Sequence, residues 1–461
     1  MSEWKKVGGL LVALCWSVSA PAQLMPERLS PQEQYAYYFN QAAEAYDAGD
    51  DADWVAATEK LHALRPFNQD FMTHLVQGYA RLGAKSQAFD MMLKMQQQGL
   101  AEDWSAFPEL APLREHSLYG HLADLMAEAG EPFGEAEAFA VVPGSIPMPE
   151  ALALDVENNQ LFIGTVREGK VYVRSGEQEA WTVFADRARV PDLRAVFALG
   201  IDQQRNVLWV ASGMTSQYQD FNRDEFGQAS LIKLDLRTGE HLSTYPVASA
   251  DQEHLLGALT VASDGTVYAT DSLLPLVYRL RPGAEGVELF FGSPMLSSLR
   301  GLALHEDKQK LYVADYETGI IVLDTSDRDQ AWSLAIPETL NLGGVEGMYA
   351  SGPYLVVIQS GISPSRVLRL ELGEDGLGVR AVAPVVAALP EFEGPTYGTL
   401  HSDMLYFFAN NHWQYVDSGG EPTQGPLPDV HVLSTDIADP EVQVVGEEIL
   451  RQLQQQQQQN N

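Results

Sequence analysis

The sequence predicts a mainly-β protein, a six-bladed β-propeller with a small N-terminal α-helical domain. Three observations carry this expectation. Apolar spacing runs at three and four residues up to about Gly130, then changes after Pro132 to short apolar bursts separated by Gly, Asp and Asn turns. Six segments share one pattern, a Gly-Leu-Ala-like strand, a turn and a burst: PEALALDVENNQLFIGT, FALGIDQQRNVLWVAS, LTVASDGTVYATD, RGLALHEDKQKLYVAD, EGMYASGPYLVVIQ and EGPTYGTLHSDMLYFFAN. Their bursts end at Thr165, Ser212, Asp271, Asp315, Gln359 and about Asn410, in steps of 47, 59, 44, 44 and 51 residues. After each burst comes a further strand (KVYV, SLIKLD, LVYRL, GIIVLD, RVLRLE, WQYVD) and often a fourth. Four strands repeated six times at this period pack radially, which leaves only short outer edges.

The elements follow in chain order. Lys5 and Lys6, the apolar run from Val7 to Val18, and Ala20-Pro21-Ala22 form a signal peptide over residues 1–22, so the mature protein is expected in the periplasm or secreted. Cys15 follows Leu14, too bulky for lipid-modifying cleavage, which disfavours a lipoprotein. Residues 31–130 form the helical domain. Within it Val76, Tyr79, Gly83 and Ala88 fall where tetratricopeptide repeats place an apolar residue, a tyrosine, a turn glycine and a close-packing alanine. Residues 35–100 therefore resemble about two such repeats, which implies a groove for a protein or peptide partner; a plain helical bundle is the alternative. Pro132-Phe133-Gly134 reads as a linker to the propeller at 138–436. Closure of the ring falls to a terminal strand, either AFAVV near Phe139 or DVHVLS near Val430. The insertion GMTSQYQDFNRDEFGQ reads as a loop over one face, and the glutamine-rich tail at 437–461 as partly disordered.

Composition narrows the partners. The chain has 461 residues, 45% of them apolar, and 29 Lys+Arg against 63 Asp+Glu for a net charge of −34. Such a surface repels a phosphate backbone, so nucleic acid is not an expected partner. No segment after the signal peptide has eighteen uncharged apolar residues, so no membrane span is expected. Cys15 is the only cysteine, and cleavage after Ala22 removes it; disulfides and thiolate metal sites are then excluded. No HExxH motif, phosphate loop or nucleophile elbow is present, and His401, His412, Trp413 and Tyr415 read as packing or surface residues.

SDGTVYATDS, KLYVADYETGIIVLD and LYFFANNHW resemble the gluconolactonase, regucalcin and luciferin-regenerating-enzyme family of six-bladed propellers, over residues 138–436. The resemblance implies a central channel where acids or amides preceding a glycine on the innermost strands meet around one divalent cation such as calcium. It also implies that the metal polarises a lactone carbonyl while a carboxylate serves as base. The matching positions read as Glu150, Phe197, Gly257, Arg300, Glu346 and Glu393. Glu150, Glu346 and Glu393 are then the metal ligands if a metal is bound, and Glu346 and Glu150 the catalytic carboxylates.

One position departs from that pattern. Arg300 stands where the family has an asparagine ligand, and a guanidinium has no lone pair to donate. It can neutralise the acids, turn away, or hold a substrate carboxylate. Arg300, Asp271, Asp315 and Asn410 are the candidate ligand-binding residues, with capping of turns as the alternative for the two aspartates. The leading expectation is an exported propeller that binds a small molecule or protein partner through a degenerate lactonase-type channel. The alternative is a metal-dependent lactone or ester hydrolase.

Overall fold

The computed structural model describes residues 29–176, 180–247 and 252–438; the expected signal peptide and residues 439–461 of the glutamine-rich tail lie outside them. The chain forms two compact units, one running to Gln96 and including Asp103–Asp124, the other comprising Gln97–Glu102 and the chain from Leu125 onward.

In the first unit the helices start where side chains can satisfy the free N–H groups of a first turn. Before α1 (Pro31–Ala48) the Ser30 hydroxyl accepts from Glu33 N–H while the Glu33 carboxylate accepts from Ser30 N–H at 2.8 Å, a reciprocal cap. Asp50 caps α2 (Asp51–Leu64) through Asp53 N–H, and Asn68 caps α3 (Gln69–Arg81) through Phe71 N–H. Ala42, Trp54, Leu61 and Phe71 pack as the core. The Arg81 guanidinium lies 5.0 Å from the Trp54 ring centroid and 5.2 Å from that of Tyr46. Gly78 has no alternative, because a Cβ there would sit 2.4 Å from Val55 Cγ2. Gly83, at φ +71°, turns the chain into α4 (Lys85–Gln97), whose Ala88 is fully buried, as is Val76 of α3. Beyond them come α5 (Ala111–Arg114) and α6 (Ser117–Glu128).

The second unit is the six-bladed propeller. After β1 (Glu137–Val142), the first blade runs β2 (Pro149–Asp155), β3 (Gln160–Thr165), β4 (Val171–Ser175) and β5 (Thr182–Ala185). The second is β6 (Ala195–Asp202), β7 (Val207–Gly213), β8 (Ala229–Asp235) and β9 (His241–Pro246), and the third β10 (Leu256–Val261), β11 (Val267–Asp271), β12 (Leu276–Leu280) and β13 (Glu288–Gly292). The fourth is β14 (Leu299–His305), β15 (Lys310–Asp315), β16 (Gly319–Asp324) and β17 (Ala331–Ser333), and the fifth β18 (Val345–Ser351), β19 (Tyr354–Gln359), β20 (Arg366–Leu372) and β21 (Val379–Ala387). In the sixth, β22 (Gly398–His401), β23 (Met404–Phe408) and β24 (Val430–Asp436) are completed by β1.

Both terminal strands therefore close the ring, paired antiparallel with Glu137 opposite Ser434 and Val142 opposite Val430. Apolar faces of successive sheets fill the space between blades; Phe162, Phe184, Val196, Leu208 and Ile232 join the first to the second. The innermost strands β2, β6, β10, β14, β18 and β22 neighbour one another in turn around the axis. Each is a terminal strand of its sheet, so its unpaired backbone edge lines the channel. The expected linker is part of this unit: Phe133 and Ala387 exchange two backbone hydrogen bonds of 2.9 Å, and Gly134, at φ +76°, passes so close to Val385 that a Cβ would meet its carbonyl oxygen at 2.1 Å.

Candidate functional site at the channel mouth

One local irregularity recurs at the start of the innermost strands. The ladder shifts between Pro149 and Ala151, Val196 and Ala198, Leu256 and Ala258, Leu299 and Leu302, and Val345 and Gly347. A bulge of this kind re-aims the extra side chain out of the sheet. The residues concerned are Glu150, Phe197, Gly257, Arg300 and Glu346, five of the six positions read from the sequence. In the sixth blade the register assigns the place to Thr396. Gly398 pairs with Phe407 as Met348 pairs with Val357 and Leu302 with Val313, so Thr396 stands two residues ahead, as Glu346 and Arg300 do. Glu393 lies outside this ring, exposed, and accepts a 2.7 Å hydrogen bond from the Tyr415 hydroxyl.

Three charged groups of the ring come together. Arg300 Nε lies 4.0 Å from Glu346 Oε2, too long for a hydrogen bond, and this Nε is buried without a hydrogen-bond partner. The Tyr397 hydroxyl stands near the guanidinium and favours its charge, and the Tyr316 ring centroid is 5.8 Å from Arg300 Cζ. Glu150 Oε2 accepts a 2.8 Å hydrogen bond from the Trp413 indole N–H. Burial pushes the Glu150 carboxyl up to about 7; Trp413 pulls it down, nearby Glu346 adds to the rise, and Arg300 opposes it. Burial also raises Glu346 against the pull of Arg300. For Arg300 burial works against the charge, but Glu346 and then Tyr397 outweigh it and the guanidinium is held charged. The Arg300 side chain is 36% accessible, so it borders water in the channel although protein surrounds it.

Trp413 is placed by a long loop, residues 411–429, between β23 and β24. Asn411 donates to Gly394 O at 2.8 Å and accepts from Trp413 N–H at 2.9 Å. His412 Nδ1 accepts from Met148 N–H at 2.9 Å and Nε2 donates to Pro428 O at 2.8 Å, a neutral tautomer fixed from both sides. Arg167 donates to Gly419 O and Gln217 O, and Ser216 to Ser418 O, so the insertion after β7 is bound to this loop. The stretch WQYVD, expected as the strand after the sixth burst, is a single 3-10 turn at Trp413–Tyr415, and β24 takes the strand's place beside β23; the roles of His412 and Trp413 were therefore not legible as site features.

The other candidates are not in the ring. Asp315 is fully buried and accepts from the backbone N–H of Ser297, Ser298, Glu317 and Thr318. Asp271 is likewise fully buried, accepting from Leu255, Leu273 and Leu274 N–H and from His254 Nδ1 at 2.7 Å. These aspartates end their bursts because a carboxylate there collects the N–H groups of the loops entering and leaving the strand pair. Asn410 is one residue past the sixth burst's equivalent end, Ala409; its amide donates to Asp429 O and accepts from His431 N–H.

The ring does not fit a divalent cation. Calcium takes six to eight oxygen ligands, whereas two of the six positions offer no polar side chain and a third offers a cation. Among the described residues no group of three His, Cys, Asp or Glu is placed to hold a metal ion. Just past the ring, beginning at Ala151, Gly301 and Gly347, the strand edges enclose a lumen of about 290 Å³.

No family model matches the chain, and no curated protein matches it. Among solved structures it is similar to a gluconolactonase from Xanthomonas campestris (14% identity, 67% of this chain and 93% of that one, TM-score 0.43). It is also similar to a calcium-binding regucalcin from Agrobacterium tumefaciens (13%, 66% and 94%, 0.45) and to the PQQ-bound aldose sugar dehydrogenase from Streptomyces coelicolor (15%, 66% and 99%, 0.44). At these identities the likeness is one of fold, the six-bladed propeller.

Proposed function

We propose that the protein is an exported ligand-binding propeller, which takes a small polar molecule at the channel mouth without a divalent ion. The observation that carries this is Arg300 itself: a charged donor with an unpartnered Nε, set in the ring beside a buried Glu150 and a half-buried Glu346 that it only partly compensates. Such a constellation is incomplete until a ligand supplies an acceptor for the guanidinium and donors for the glutamates. Lys5, Lys6 and Ala20-Pro21-Ala22 support export, and the helical unit is proposed to take a protein or peptide partner.

A screen of polar metabolites by thermal shift tests the reading, run with and without chelator on the wild type and on Arg300→Met. Stabilisation that survives chelator and is lost in the variant is the expected result; stabilisation that needs calcium would reject it. A second reading, hydrolysis of a lactone or ester with Glu150 as proton donor and acceptor, is favoured by a carboxyl that titrates near neutrality. Turnover of a lactone by the wild type but not by Glu150→Gln would establish it.

A further inference from the structure

We infer that the occupant of the channel mouth is a free α-amino acid, its carboxylate held by Arg300 and its ammonium by Glu150 and Glu346. The inference rests on the ligand-binding reading above and names the occupant's class.

With both glutamates ionised the ring carries two negative charges and one positive charge within a small, partly desolvated volume. A ligand bearing only a carboxylate would satisfy Arg300 Nε but face both glutamates. A simple amine would satisfy the glutamates and leave that Nε without an acceptor. An α-amino acid carries both groups on one carbon and answers both demands. Its carboxylate accepts from Arg300, with the nearby Tyr397 hydroxyl as a further donor. Its ammonium has three donors for two carboxylates, one of which is oriented by Trp413. The side chain of the amino acid has room in the lumen of about 290 Å³, whose wall is the unpaired edge of six strands. Backbone N–H and C=O groups there suit a polar side chain better than an aliphatic one.

Titration calorimetry on the full chain tests this with L-glutamine, L-serine, L-lysine and L-leucine. Each is compared with its N-acetyl derivative, which removes the ammonium, and its amide, which removes the carboxylate. The expected result is that either modification weakens binding about ten- to a hundredfold, as the loss of a charged hydrogen bond implies, with the polar side chains preferred. In Arg300→Met the free acid and its amide should bind alike. In Glu346→Gln the free amine and its N-acetyl form should converge. Arg300→Lys, which keeps the charge, guards against a fold defect in the methionine variant. Equal binding of parent, N-acetyl and amide forms would overturn the inference. So would the absence of amino-acid binding in a protein that binds another small molecule in an Arg300-dependent way, which would leave the ligand-binding reading standing. Absence of any Arg300-dependent binding would remove both.

Discussion

The indole of Trp413 and the carboxylate of Glu150 meet at 2.8 Å although 263 residues separate them in the chain. One belongs to the first blade's innermost strand, the other to a loop of the last blade. The mouth of the channel is thus built at the seam where the ring closes, and loop and strand fix each other there.

Glu150 makes the fold pH-sensitive. Its carboxyl, raised from 4.5 to about 7, holds its proton in the folded state at pH values where the unfolded chain has released it. Stability from this group is therefore fully present below about pH 4.5 and falls as pH rises toward 7, by about 3 kcal/mol in all. Glu150→Gln keeps an oxygen for the indole and removes the titration. Urea denaturation should show the variant more stable than wild type at pH 8 and nearly equal at pH 4. A difference independent of pH would contradict the assignment.

Arg300 faces Glu346 at 4.0 Å with water nearby, so its loss should cost less than that of a fully buried pair. Arg300→Met is expected to lower stability by about 1 kcal/mol at pH 8, with the deficit shrinking at pH 4 as the glutamates protonate. Melting curves at the two pH values measure it. A larger deficit at pH 4 would mean that the guanidinium acts through packing and not through charge.

A chelator or added calcium should leave the melting temperature of the wild type unchanged, because the ring offers too few oxygen donors. A shift of several degrees with calcium would contradict the metal-free reading of the ring.

Asp315→Ala should be the most damaging of these changes. It strips four backbone N–H groups of their acceptor at a fully buried position, for a loss of roughly 3–5 kcal/mol. Asp315→Asn retains one acceptor oxygen and should lie between. If the alanine variant lost ligand binding without losing stability, Asp315 would belong to the site after all.

The propeller was legible because its signal is repeated. Each of the six bursts carries the same alternation and turn residues, so a weak pattern is read six times, and the periods of 44 residues around Asp271 and Asp315 reflect real blade equivalence. The ring positions Glu150, Arg300 and Glu346 were legible through the family resemblance, which implies a side chain facing the channel at the start of each innermost strand. Thr396 was not, since the sixth blade spaces its inner strand differently and an acid before a glycine, Glu393, stands three residues earlier. Asp271 and Asp315 could be read as ligands or as caps from sequence, because a carboxylate at a strand end suits both; only their count of N–H partners separates the two. Trp413 and His412 sit in an unrepeated loop, and there the apolar run WQYVD read as a strand although it forms a 3-10 turn. The tetratricopeptide likeness rests on Val76, Tyr79, Gly83 and Ala88, whose buried or turn positions suit any close helical pair equally well.

The pairing of β1 with β24 has a consequence for how the protein is made. Residues 137–142 leave the ribosome roughly 300 residues before their partner strand, a wait of about 15–60 s at ordinary elongation rates. Throughout that interval the first strand has an apolar face and an open edge, able to pair with any other nascent chain. A stall between Ala387 and Val430 would leave five finished sheets and β1 without its partner strand. Slow translation or a premature stop near the end should therefore produce aggregated chains, in contrast to a shortened but soluble propeller.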